Sequence, residues 1–313
     1  VFTDIGASLT GVANGSVDWG DYDNDGALDL LVTGTDDGGN PTAALYRNDG
    51  SDTFTEATGA GISGVTRSSA DWGDYDNDGD LDVIVTGSGG ATLYRNDGGV
   101  FTDSGVSLVG VNFGASAWAD YNSDGHLDLV ITGLDGTMPS TTVYRNNGGG
   151  SFTPVSFGFV DVARGSVDWA DYNADGRLDL VLTGEQSTGV RVSTLYRNKG
   201  SESFENAGAP LTPVMNGAAR WGDYDGDGQP DLLIIGEGDS GDPVREIFRN
   251  NSGSFAAVGN GPTAVELSDA AWGDYDSDGD VDVVTAGRDA TNSVSSLIWT
   301  NAAPPEIAVS QGG

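Results

Sequence analysis

One short acidic loop recurs six times along the chain, and this repeat constrains the fold more than any other feature. The loops open on Asp21, Asp74, Asp120, Asp171, Asp223 and Asp274, separated by 53, 46, 51, 52 and 51 residues. A tryptophan stands two places before each one: Trp19, Trp72, Trp118, Trp169, Trp221 and Trp272. The second copy shows the unit most plainly. Residues 68–75 lead into the loop as one strand, and residues 81–87 leave it as another, rich in β-branched side chains. Residues 92–96 form a third strand, Asp97-Gly98-Gly99 a turn, and residues 100–102 a fourth strand. No segment sustains a helical period over three turns.

Four strands per ~50 residues predict a propeller blade. Six such units predict an all-β, six-bladed β-propeller over residues 1–302, with repeats at 1–50, 51–98, 99–147, 148–200, 201–250 and 251–302. A seven-bladed ring is the alternative, but it needs a further repeat, and only 11 residues follow Ala302. Val1-Phe2-Thr3 matches a fourth strand, and Leu297-Ile298-Trp299 matches a third. The amino-terminal strand is therefore expected to complete the last blade and close the ring. Residues 303–313 break the repeat and read as a linker or tail, whose Pro-Pro step resembles the start of a following β-sandwich module. The chain opens on Val1, as expected of a mature or excised segment.

The loop chemistry points to calcium, which takes six to eight oxygen ligands in a flexible shell. In the first copy the expected ligands are Asp21, Asp23, Asp25, the backbone carbonyl of Ala27, and Asp29, with Gly26 at the sharp turn. The second copy supplies Asp74, Asp76, Asp78, the carbonyl of Asp80, and Asp82. The third supplies Asp120, Asn122, Asp124, the carbonyl of His126, and Asp128. The fourth supplies Asp171, Asn173, Asp175, the carbonyl of Arg177, and Asp179. The fifth supplies Asp223, Asp225, Asp227, the carbonyl of Gln229, and Asp231. The sixth supplies Asp274, Asp276, Asp278, the carbonyl of Asp280, and Asp282. Position 7 varies from Ala to Arg, as only a backbone ligand tolerates. Position 8 is Leu28, Leu81, Leu127, Leu178, Pro230 or Val281, read as an apolar peg toward the core. Asn at position 3 leaves copies three and four with one carboxylate fewer, and weaker binding is expected there. About six calcium ions, one per blade, are expected.

An EF-hand or dockerin loop closes at position 12 beside a helix, whereas here Asp closes at position 9 and a strand follows. The spacing of ~50 residues also rules out tandem nonapeptide β-helix repeats. The motif Trp-Gly/Ala-Asp-Tyr-Asp/Asn-x-Asp-Gly-x-x-Asp resembles the FG-GAP (VCBS-type) repeat of integrin-α-like propellers, over essentially residues 1–302. That resemblance implies a metal in the hairpin between the first two strands of each blade. It also implies a family of adhesion receptors, lectins and noncatalytic modules, with polysaccharide lyases among its relatives.

Charge and composition restrict the partners. The formal net charge is −35, from 48 acids and 13 bases, and about half the acids lie inside the six loops. This argues against nucleic acids and anionic membranes as partners. The acids do not form the blocks of a disordered segment. There is no cysteine, so calcium, plentiful outside cells, is the expected staple of an extracellular or cell-surface chain. No apolar run approaches the ~20 residues of a membrane-spanning helix. Three or four carboxylates crowded in each loop repel one another by a few kcal/mol per close pair at most, which a bound cation would relieve.

Nothing in the sequence assembles a catalytic set. The lone histidine, His126, sits in a loop with its ring expected in solvent, and without Cys or further His most nucleophilic schemes fail. Paired carboxylates remain available for sugar chemistry, and no acid stands out from the repeat. The series Tyr46-Arg47-Asn48, Tyr94-Arg95-Asn96, Tyr144-Arg145-Asn146, Tyr196-Arg197-Asn198 and Phe248-Arg249-Asn250 reads as structural, its arginines stacking or bonding carbonyls and its asparagines starting the turn. The tryptophans read as core between blades. Ligand binding is expected on the face opposite the loops, in segments 34–42, 87–91, 133–141, 184–193, 236–245 and 287–295, near Arg164, Arg191, Arg220, Arg245 and Arg288. The reading is a noncatalytic, monomeric binding or adhesion module for a protein or glycan, with a lectin-like propeller and a lyase-related enzyme as alternatives.

Overall fold

The computed structural model describes residues 7–260, 266–274, 279–288 and 294–301, apart from positions 52 and 89. Blade 1 comprises β1 (Val12–Gly20), β2 (Asp29–Asp36), β3 (Pro41–Asn48) and β4 (Phe54–Glu56). Blade 2 comprises β5 (Ser69–Gly73), β6 (Asp82–Gly87), β7 (Gly90–Asn96) and β8 (Phe101–Asp103). Blade 3 comprises β9 (Asn112–Ala119), β10 (Asp128–Asp135), β11 (Met138–Asn146) and β12 (Phe152–Val155). Blade 4 comprises β13 (Val167–Ala170), β14 (Asp179–Glu185), β15 (Arg191–Gly200) and β16 (Ser203–Asn206). Blade 5 comprises β17 (Met215–Gly222), β18 (Asp231–Glu237), β19 (Pro243–Asn251) and β20 (Ser254–Asn260). Blade 6 contributes β21 (Glu266–Gly273), β22 (Asp282–Arg288) and β23 (Val294–Trp299). Each sheet is antiparallel with its strands in chain order, and the first strands of all six surround one axial channel. The molecule is a six-bladed propeller, not a seven-bladed one. The expected closing strand at residues 1–3 and the tail after Asn301 lie outside the described residues.

Second strands carry the core. In β14, Leu180, Val181 and Leu182 are fully buried, as are Leu232, Leu233, Ile234 and Ile235 in β18. Alternation is lost here because blades 2 to 5 are covered on both faces by their neighbours. Ile84 and Leu93 of blade 2 thus pack with Leu129, Ile131 and Tyr144 of blade 3. The tryptophans lie between blades as expected: a Cβ added to Gly20 would come within 2.9 Å of the Trp72 ring. Trp19 departs from this, being 52% exposed. The position-8 peg also fails at Leu28, which is 58% exposed. The loop projects beyond the sheet end, and Asp29, not its neighbour, is the residue drawn inside.

A kink precedes or opens the first strand in blades 1 to 5. Asn14, Arg67, Phe113, Arg164 and Asn216 all stand five residues before a loop tryptophan, and all have φ between 50° and 55°. This left-handed conformation is costly for Arg and Phe. A glycine follows in four of the five copies. At Gly165 an added Cβ would sit 1.7 Å from the Thr183 carbonyl oxygen, so the bulge admits no side chain there.

Candidate metal centres and the opposite mouth

The loop between the first two strands is held by its own carboxylates. The Asp21 oxygens accept from the Asp25 and Gly26 amides, both at 3.0 Å. Asp74, Asp120, Asp171 and Asp223 accept the corresponding amide pairs at 2.7–3.0 Å. Gly26 has φ +90°, the conformation the sharp turn requires. Position 7 joins through its backbone: the amides of Ala27, Asp80, His126, Arg177 and Gln229 donate to the position-5 aspartates at 2.8–3.2 Å. Several position-7 side chains turn outward to the hairpin after the third strand. Asp80 accepts from the Gly98 amide at 3.0 Å, and Gln229 accepts from Ser252 at 2.7 Å.

His126 is not solvated as expected. Its ring is half-buried, with Nδ1 3.1 Å from the Asn77 amide nitrogen of the preceding blade. Asn24 reaches across in the same way, donating to Gly79 O and Asp80 Oδ1. The first three loops are thereby tied to one another at one end of the propeller.

The closing aspartates behave differently from the rest of the loop. Asp29, Asp82, Asp128, Asp179, Asp231 and Asp282 are at most 2% exposed. In blade 2, Asp82 accepts from the Tyr75 amide at 3.1 Å and the Asn96 amide at 2.8 Å. The Asn96 side chain then donates to Leu81 O and, across the blade boundary, to Tyr22 O at 2.8 Å. Asn146, Asn198, Asn250 and Asn301 make the same interblade bond at 2.6–2.8 Å. The third-strand asparagine is thus a staple as well as a turn former. Burial pushes Asp82, Asp128 and Asp179 up to about 7 and Asp231 up to about 6; Asp29 is also raised. A buried carboxylate with so little compensating charge invites a cation.

The donors suit a hard cation. They are oxygen only, and ligand oxygens from Asp21, Asp23 and Asp29 lie within 4.8 Å of one another. Asp74, Asp76 and Asp78 form a second such group, and Asp223, Asp225 and Asp231 a third. Copies three and four, with Asn122 and Asn173, form none among the described residues. Two buried loop oxygens, Asp76 Oδ1 and Asp128 Oδ2, have neither a hydrogen-bond partner nor an ion pair among the described residues. In the sixth copy Asp276 and Asp278 lie outside the described residues. There Asp274 Oδ2 accepts from Gly279 at 3.2 Å, and Asp282 Oδ1 accepts from Asn301 at 2.7 Å; Asp280 completes the described part of that loop.

The axial channel holds a second set of charges that sequence reasoning missed. Asp18, Asp71, Asp168, Arg220 and Asp269 line a cavity of about 580 Å³. Burial pushes Asp18 up to about 6 and Asp71 up to about 7, and raises Asp168 as well. Asp18 accepts from the Trp19 and Trp72 amides, and Asp168 from the Trp169 and Trp221 amides, so each bridges adjacent first strands. Ser116 donates to Asp71. Arg220 was expected near the ligand loops; the structure turns it inward, to Asp269 at 2.8 Å and Ser166 at 2.6 Å.

The mouth opposite the loops is built from the left-handed residues. Arg164 N donates to Phe113 O at 2.9 Å, and Asn216 N to Arg164 O at 2.6 Å. The Arg67 and Arg164 guanidinium carbons lie 4.6 Å and 5.2 Å from the Phe113 ring centre. Arg164 pairs with Glu185 at 2.8 Å, and Arg191 pairs with Glu237. Arg67 is exposed and has no ion pair among the described residues. Arg245 is half-buried on β19, opposite Ile235, and the Arg288 side chain lies outside the described residues. The signal for Arg67 and Phe113 was present in the sequence: they stand at a fixed distance before the tryptophan, and glycine follows the position in four copies.

A family profile described as FG-GAP-like repeat matches residues 21–85, 74–131, 120–182, 171–234 and 223–285. No curated protein sequence matches the chain. Among solved structures, a lectin of Agrocybe aegerita that recognises non-reducing terminal N-acetylglucosamine superposes with a TM-score of 0.56 at 19% identity, covering 92% of this chain and 80% of that one. The Aleuria aurantia lectin, a six-bladed propeller with a fucose recognition mode, gives 0.54 at 10% identity, covering 94% and 95%. AofleA from Arthrobotrys oligospora gives 0.51 at 11%, covering 92% and 83%. At these identities the likeness is one of fold.

Proposed function

The chain belongs to the FG-GAP-like repeat family, and from that premise we propose that it is a calcium-stabilised, noncatalytic binding propeller of the extracellular space or cell surface. Calcium would supply positive charge to loops whose carboxylates outnumber the arginines paired with them. The carboxylates at positions 1, 3, 5 and 9 would hold it, as Asp21, Asp23, Asp25 and Asp29 would in blade 1. The carbonyl at position 7 would complete the shell. In this reading the ions fix the blades, and the ligand, a glycan or a protein, meets the opposite face of a monomeric domain.

One observation carries the reading: the Arg67–Phe113–Arg164 stack at that face. Three consecutive blades place bulky residues in a strained backbone conformation where Asn or Gly would serve the fold alone. Strain retained at a rigid rim marks a surface kept for contact. The lectin neighbours favour a glycan as the ligand over a protein, and adhesion is then the consequence of display on a surface.

A glycan array probed in calcium, with the wild type and Phe113→Ala side by side, tests the proposal. The expected result is a defined set of bound glycans, with binding at least about tenfold weaker in the variant. Binding untouched by Phe113→Ala would refute the assignment of the face. Release of an ultraviolet-absorbing product from a bound polysaccharide would refute the noncatalytic reading.

A further inference from the structure

The third-strand arginines divide the blades into two classes. In blade 1 the Arg47 guanidinium is held by the turn residue Asp49, with Nε at 2.8 Å and Nη2 at 2.5 Å from Oδ1. Thr55 donates to the other oxygen of Asp49. In blade 2 Arg95 is held in the same way by Asp97 at 2.5 Å. In blade 3 the turn residue is Asn147, which accepts from Arg145 at 3.2 Å, and Glu202 of the neighbouring blade takes the guanidinium at 2.5 Å. These three arginines make their ion pairs outside the loops.

Blades 4 and 5 lack such an acid. The turn residue of blade 4 is Lys199, engaged with Glu205 at 3.0 Å. Arg197 there pairs with loop residue Asp175 at 3.3 Å, and Arg177 with the same carboxylate at 2.5 Å. The Asn173 amide donates to the closing Asp179 at 2.7 Å. In blade 5 the turn residue is Asn251, and Arg249 lies on two loop carboxylates, 2.5 Å from Asp225 and 3.6 Å from Asp227. In both blades a guanidinium sits on oxygens that a cation would use.

We infer that these arginines are built-in competitors for the metal, and that the acid beside each hairpin decides whether its arginine competes. The inference rests on the calcium reading above and adds an order of affinity to it. Blades 1 and 2 have four carboxylates in positions 1, 3, 5 and 9, and their arginines are held off. Blade 3 has one carboxylate fewer, and its arginine is also held off. Blade 5 keeps four carboxylates but carries one arginine on them. Blade 4 has three carboxylates and two arginines, and is the weakest site of the five. Two blades at one edge of the ring therefore stay sensitive to calcium in a range where blades 1 and 2 are saturated.

Equilibrium dialysis of the whole chain against buffered free calcium, with bound metal counted by atomic emission, tests this. The wild type should fill in at least two phases. Arg249→Gln should move one site from the weak phase toward the tight phase, by at least about tenfold in free calcium. Asn251→Asp, which restores the acid found in blades 1 and 2, should shift the same site in the same direction without removing the arginine. Arg47→Gln should leave the phases unchanged. A wild type that binds calcium while both blade-5 variants leave its weak phase unmoved overturns this inference alone. A wild type that binds no calcium overturns the calcium reading and this inference with it.

Discussion

Asp18 and Asp21 stand three residues apart at the end of the same first strand, as do Asp71 and Asp74, and Asp168 and Asp171. Their surroundings are opposite in kind. Asp21, Asp74 and Asp171 bind the amides of their own loops and face other carboxylates, a site that gains by taking a cation. Asp18, Asp71 and Asp168 face the axial channel, where Arg220 already supplies a positive charge and serine or tryptophan donors supply hydrogen bonds. The loop acids recur in every blade and define what the repeat is. The place before the tryptophan holds a channel acid in three blades, with Ala117, Arg220 and Ala271 there in the others, and Asp269 of blade 6 enters the channel from a different position. Repetition therefore separates charge that builds each blade from charge that appears only once the ring is assembled.

Substitutions should separate the two groups by sign. The largest effect is expected at a closing aspartate. Asp82→Ala leaves the Tyr75 and Asn96 amides without their acceptor inside the protein, and should cost about 3 kcal/mol or more in urea unfolding with calcium present. A loss below 1 kcal/mol would show that the closing carboxylate is dispensable to the blade.

In the channel the expectation reverses. Burial pushes Asp71 up to about 7, so the folded chain holds its proton more tightly than the unfolded chain does. The stability this group contributes is full at about pH 4 and below, and is lost as pH rises to 7. Asp71→Asn should thus raise stability at pH 8 by on the order of 1–2 kcal/mol and change little at pH 4. Equal loss at both pH values would put Asp71 with the loop acids. The smallest effect is expected between loops: Asn24→Ala removes exposed bonds to Gly79 and Asp80 and should cost about 0.5 kcal/mol.

The blades were legible because a four-strand unit at ~50-residue spacing leaves few alternatives. The loop carboxylates were legible because all six copies vary around fixed oxygen positions. Other features needed the third dimension. Asp18, Asp71 and Asp168 share the place before the tryptophan, but Ala117, Arg220 and Ala271 stand there in the other copies, and only the ring of first strands brings the three acids to one channel with Arg220 and Asp269. Arg47 and Arg249 occupy the same repeat position, yet one pairs with a turn and the other with a loop. That difference depends on an acid two residues away in one blade and its absence in the other. His126 was read as solvated because position 7 varies freely; interblade packing fills the space beside it instead.

The pH dependence of the loops provides a further comparison. With Asp82, Asp128 and Asp179 raised to about 7, the metal-free chain should lose stability between pH 4 and 7 by the same linkage as Asp71. Calcium requires the deprotonated carboxylates, so it should be bound with proton release at pH 6, measurable by calorimetry in buffers of different ionisation enthalpy. Matching heats in all buffers would contradict the raised values.

The central claim, that the repeated loops are calcium staples, is tested most directly by calorimetric melting of one sample in excess calcium and then in excess chelator at pH 8. Each site filled at ~100 times its dissociation constant adds about 2.7 kcal/mol to folding, so several sites should lift Tm by tens of degrees. An identical melt in calcium and in chelator would contradict the claim.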